Sequence, residues 1–130
     1  MSRIGPWETA LLEYIASVRR EPFAWGTHDC CTFSAGAVEA ITGEDPMPEY
    51  RGKYDTALGS ARALDGQSLE SVLDDKFEEG PIGFAQRGDL AWFDDSVGVV
   101  AGDYAWFVGE EGLERVARSM WDKTWRVGRG

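Results

Sequence analysis

Cysteine is scarce in this chain, and its two copies, Cys30 and Cys31, are neighbours. Adjacent cysteines cannot staple distant segments, so a disulfide framework is excluded while a redox or catalytic thiol stays open. Histidine is scarcer still: His28 is the only one. A His28-Cys30-Cys31 cluster is a poor zinc site, because adjacent ligands do not easily reach one tetrahedral ion and no second Cys/His pair exists. No metal or other cofactor is expected. Positive charge is also short, with 13 basic against 23 acidic residues and a formal charge of −10. A nucleic-acid groove needs concentrated Lys and Arg, so that class of partner is excluded. No run approaches the roughly 18 apolar residues of a membrane span. The N-terminus has no apolar signal core, so the expected site of synthesis and first use is the cytoplasm. Repeats, low-complexity tracts and linkers are missing too. The pairs Asp74-Asp75 and Glu110-Glu111 read as solvated turns and helix ends, not as the opposed acids of a glycosidase.

What is present is enough for a core. Hydrophobic residues make up 43% of the chain and aromatics 12%, which supports one folded domain over residues 1–130. Gly5-Pro6 opens a helix whose face is Trp7, Leu11, Ile15 and Val18, and Pro22 is expected to end it. A second helix spans Cys30 to Thr42 and stops at Gly43. Asp55 is a candidate cap for a short helix through Leu64, and Ser68 for another containing Leu69, Val72 and Leu73. After Gly80-Pro81 the period becomes that of strands: Leu90–Phe93, Val97–Val100, Tyr104–Val108, Leu113–Val116 and Thr124–Val127. Helices first and strands second predict an α+β fold, with N-terminal helices packed on a C-terminal antiparallel meander. The end, Arg126 to Gly130, is expected to fray.

Chemistry concentrates in Pro22-Phe23-Ala24-Trp25-Gly26-Thr27-His28-Asp29-Cys30-Cys31. A thiol in the first turn of a helix meets unpaired N–H groups and the positive dipole end, which favour a thiolate nucleophile. The competing reading of Cys30 is a small packed residue, and packing is the expected role of Cys31. Three roles are open to His28: orienting Asp29, taking the Cys30 proton, or bonding within the turn. Asp29 is either a helix cap or a catalytic carboxylate. Trp25, Trp92 and Trp106 either line a glycan or peptide groove or belong to the core.

Trp25-Gly26-x-x-Asp29-Cys30, followed by Gly88-Asp89-Leu90-Ala91-Trp92-Phe93 and Val97-Gly98-Val99-Val100-Ala101-Gly102, resembles the NlpC-type cell-wall peptidases. These are compact papain-like enzymes, and the resemblance implies a papain-type fold with the Cys at the start of the core helix. A second likeness runs along nearly the whole chain. His28-Asp29-Cys30, Thr42-Gly43-x-Asp45-Pro46, Arg51-Gly52-x-Tyr54 and Trp125-Arg126-Val127 resemble small NlpC-like proteins of phage and prophage tail modules. In the peptidases a His directly precedes the Val-Gly pair and serves as general base. Here that position is Ser96, which cannot take a thiol proton near neutral pH.

The resemblance therefore implies catalytic positions Cys30, His28, Asp29 and Ser96, with Trp25, Gly26 and Trp92 toward a substrate. The expected function is a tail-tip or tail-assembly component that keeps the peptidase fold as a structural or binding module. Its partners would be tail-tip and hub proteins, and its location the virion tail after assembly in the host cytoplasm. Two alternatives stand beside it: a thiol hydrolase cutting peptidoglycan peptide during DNA delivery, and a non-viral amidase or acyltransferase.

Overall fold

The second helix takes shape for reasons visible in its own sequence. Asp29 caps it from an extended backbone, accepting from the Thr32 N–H, while the Thr32 hydroxyl accepts from the Asp29 N–H. Gly43, left-handed at φ 81°, ends it and returns its N–H to Glu39. Between these caps lies a helix buried on nearly every side, from Cys31 through Val38 to Ile41 and Thr42. The computed structural model, which describes residues 1–128, places this helix at the centre.

Four helices are present among the described residues: α1 (Trp7–Val18), α2 (Cys30–Thr42), α3 (Ala57–Ala63) and α4 (Leu69–Lys76). Six strands follow: β1 (Glu78–Gly80), β2 (Leu90–Phe93), β3 (Ser96–Val100), β4 (Tyr104–Gly109), β5 (Gly112–Ala117) and β6 (Lys123–Arg126). They form one antiparallel sheet in the order β1-β6-β2-β3-β4-β5. The α+β expectation holds, but a plain meander does not. Strands β2 to β5 do meander, whereas β6 crosses back to lie between β1 and β2.

Strand alternation sorts the side chains by face. Leu90, Trp92, Val97, Val99, Trp106 and Trp125 pack with α2 residues such as Phe33, Val38 and Ile41. Ala91, Val100, Ala105 and Phe107 form a smaller cluster on the other face, with Trp121. Two 3-10 turns, Ile82–Phe84 and Arg118–Met120, lie beside that cluster. Arg118 joins them to the sheet, donating to the carbonyls of Ile82, Ala85 and Gly102. Helix α1 lies on α2 so closely that a Cβ on Gly36 would sit 2.2 Å from the Tyr14 hydroxyl. That hydroxyl donates to the Phe33 carbonyl at 2.8 Å.

Four local expectations need correction. Helix α1 stops at Val18, well before Pro22, because tertiary partners take its terminal groups. The Arg19 carbonyl accepts from Leu113 on β5, and the Phe23 N–H turns to Glu110. The cap of α3 is Thr56, whose hydroxyl oxygen accepts from the Gly59 N–H, not Asp55. Strand β1, with two glutamates and no apolar alternation, carries no strand signature and exists through its pairing with β6. Finally, the chain is anchored up to Val127, which is buried and donates to Asp89. Arg3 bonds Val127 and Asp89 as well, so both ends meet at one buried ion pair. Of the stretch expected to fray, residues 129 and 130 lie outside the described residues.

Candidate functional site

The loop before α2 is a tight structure of its own. Ala24 and His28 exchange backbone hydrogen bonds at 2.9 and 2.8 Å, closing a turn around Gly26. Gly26 sits at φ 82°, and a Cβ there would fall 1.8 Å from the Tyr54 carbonyl oxygen, so only glycine fits. The Asp29 carboxylate lies inside this turn. It accepts from the Gly26 N–H at 2.9 Å, the Thr32 N–H at 2.8 Å and the Tyr54 hydroxyl at 2.7 Å. Gly52 closes the arrangement by donating to the Gly26 carbonyl. Two motifs far apart in sequence thus make one unit, and of the two readings of Asp29 the geometry favours the cap.

Cys30 begins α2 beside the first residues of β3. The residue is only half-buried, yet its thiol is walled in by protein. Burial pushes the thiol up to about 11. The Val97 backbone N–H and the N–H groups of the helix start pull the other way, while the Asp29 carboxylate adds to the rise. The helix-start effect is real here, but desolvation exceeds it. Cys31, buried in the main core, is pushed up to about 12, again by burial first and Asp29 second.

The other expected site residues do not converge on this thiol. His28 is buried, with its ring edge toward Phe33 and its Nδ1 3.8 Å from the Glu21 carboxylate. Among the described residues its Nε2 has no hydrogen-bond partner, and no hydrogen bond joins it to Cys30. Ser96 pairs directly with Phe93 across a two-residue turn, Asp94-Asp95, both of whose residues have positive φ. Cross-strand partners share a face, and Phe93 belongs to the cluster turned away from α2. Register therefore puts Ser96 on the far face of the sheet, and β3 offers Cys30 its Val97 backbone instead. Trp92 is a core residue packed edge-on against Trp125. Trp25 differs: it is 38% exposed, stacks edge-to-face on Phe23 and stands beside Cys30.

The sequence model of the family described as Domain of unknown function (DUF6950) matches residues 2–127. The chain belongs to the DUF6950 family. No curated protein matches it.

In this DUF6950 chain the space beside Cys30 is a cavity of about 40 Å³. Trp25, Tyr50, Tyr54, Leu64 and Leu69 are its walls. Small-molecule sites usually span about 300–1,000 Å³, so this cavity takes a water or two and no substrate. The covering segment arrives from the stretch between α2 and α4, and Tyr54 holds it to Asp29. Tyr54, Tyr50 and Thr32 are the residues that sequence reasoning passed over as site components. Thr32 had a signal, three positions after an Asp cap; the tyrosines had none beyond the Arg51-Gly52-x-Tyr54 motif. Among the described residues no group of three His, Cys, Asp or Glu is arranged to hold a metal ion. No helix of the described residues is long and apolar enough to cross a membrane.

Proposed function

We propose that this chain is a binding module with an NlpC-like fold, a phage tail-tip or tail-assembly component whose thiol site does no peptidase chemistry. The observation that carries the non-catalytic part is the state of Cys30. Its thiol is raised to about 11 by burial, faces a cavity of about 40 Å³ and has no base bonded to it. A cysteine nucleophile needs the opposite: a depressed pKa, an adjacent base and room for a carbonyl. The tail context rests on the likeness of His28-Asp29-Cys30, Thr42-Gly43-x-Asp45-Pro46 and Arg51-Gly52-x-Tyr54 to tail-module proteins. The structure lends that likeness a physical sense, since Gly26, Asp29, Gly52 and Tyr54 bond to one another.

Two measurements test the reading. In a Cys31→Ser background, alkylation of Cys30 is expected to be slow and still rising at pH 10. A plateau near pH 7 would instead indicate a stabilised thiolate and restore the hydrolase. In virions, the chain is expected to co-purify stoichiometrically with tails, and Cys30→Ala particles to plaque normally. Tails that lack the chain would sink the assembly role, and assembled but non-infectious Cys30→Ala particles would return the chemistry to Cys30.

A further inference from the structure

We infer that the groove between α1 and the β3–β4 strands is a docking site for a short acidic, partly apolar peptide segment of another protein. The inference does not depend on the state of Cys30, because the groove and the Cys30 cavity share no lining residue. The groove measures about 1040 Å³, and its lining includes Leu12 on α1 and Val99 and Trp106 on the sheet. Leu12 is 61% exposed there, an apolar side chain facing solvent on an otherwise amphipathic helix.

Charge makes the groove unusual. Arg19, Arg20, Arg87 and Arg115 all line it, in a chain whose acidic residues outnumber its basic ones 23 to 13. All four are exposed, and none forms an ion pair among the described residues. Outside the groove, Arg3, Arg51, Lys76, Lys123 and Arg126 each have a carboxylate, whereas Arg118 bonds carbonyls and Lys53 and Arg62 form no ion pair among the described residues but stand apart from the groove. The one acid in the groove lining, Glu21, faces His28.

Two of the four guanidinium groups are also oriented. Arg19 and Arg115 each lie 5.0 Å from the Trp106 ring, and Arg115 lies 4.9 Å from the Tyr104 ring. Stacking steadies the guanidinium plane and leaves its N–H edges for a carboxylate. The groove end is preformed, since the Arg19 carbonyl accepts from Leu113 and the Phe23 N–H donates to Glu110.

Length and surroundings select the occupant. From Leu11 to Val18 the helix wall runs roughly 11 Å at about 1.5 Å per residue. A nucleic acid would extend past that wall along a chain of formal charge −10, which repels phosphates that lie beyond the four arginines. A peptide with two to four carboxylates ends within the groove, and its apolar residues cover the exposed Leu12.

The test is to pan a random dodecapeptide library on the full chain and measure selected peptides on it and on an R19E/R115E variant. Selected peptides are expected to be acidic and to carry aliphatic or aromatic residues. Their affinity should fall at least tenfold for R19E/R115E and for Leu12→Asp, and should be unchanged for Arg62→Glu, an exposed arginine on α3 outside the groove. Circular dichroism and thermal melting of each variant separate lost binding from lost folding. Failure to enrich acidic peptides, or equal binding by R19E/R115E, would overturn the proposal. So would single-stranded oligonucleotides binding as tightly as the peptides. Sedimentation showing a dimer that R19E/R115E dissociates would assign the groove to a second copy of the chain, which also overturns it.

Discussion

The Cys30 cavity and the arginine groove are opposite uses of the same chain. Around Cys30, a carboxylate is met by three donors, a glycine is pressed against a carbonyl, and the space left is about 40 Å³. Beside α1, four arginines have no ion-pair partner among the described residues and line a groove of about 1040 Å³. The first region spends its polar groups on holding itself together. The second keeps polar groups in reserve, which a folded domain does at little cost only where they stay solvated or meet something else. A cysteine at a helix start drew attention to the first region, but the conditions for recognition are met in the second.

The sharpest way to break the comparison is Asp29→Ala. It leaves the Gly26 and Thr32 N–H groups and the Tyr54 hydroxyl without their acceptor, and a loss of about 3–5 kcal/mol in urea unfolding is expected. A loss below about 1 kcal/mol would mean that Asp29 is not the structural centre of this region.

A smaller effect comes from pH. Cys30 is raised in the folded state, so the fold favours the neutral thiol, and the sign follows from linkage. The contribution is complete below the unfolded-chain value of about 8.5 and fades as pH rises through the folded value. Between pH 9 and 11 the wild type should lose roughly 2–3 kcal/mol that the Cys30→Ala protein does not lose. Parallel stability curves for the two proteins would show that the thiol is not desolvated.

The smallest effect belongs to the groove. R19E/R115E removes stacking contacts on an exposed rim, and its unfolding free energy should stay within about 0.5 kcal/mol of wild type. A large loss would make these arginines structural and erase the contrast.

Much of the fold was legible because its cues are local. The cap Asp29, the stop Gly43 and the apolar spacing between them bound α2 at Cys30 and Thr42. Gly and Asp turns likewise delimit β2 to β5 to within a residue or two. Elements made by tertiary pairing were not legible: β1, the return of β6 beside β2, and the early end of α1. The same division runs through the site. The sequence placed Cys30, Asp29 and His28 on a few adjacent positions, but adjacency does not say where side chains point. His28 turns toward Phe33 and Glu21, and hairpin register carries Ser96 to the far face.

By itself, then, the sequence determined the helix that carries the thiol, the alternation that builds the sheet, and the acidic excess of the surface. These depend on neighbours a few positions away, where backbone geometry and side-chain type suffice. Tertiary structure alone decided that Tyr54 seals the thiol and that Arg19, Arg20, Arg87 and Arg115 come together. Both are contacts between distant segments, set by how α1, the sheet and the stretch before α3 pack, and no local rule encodes that packing.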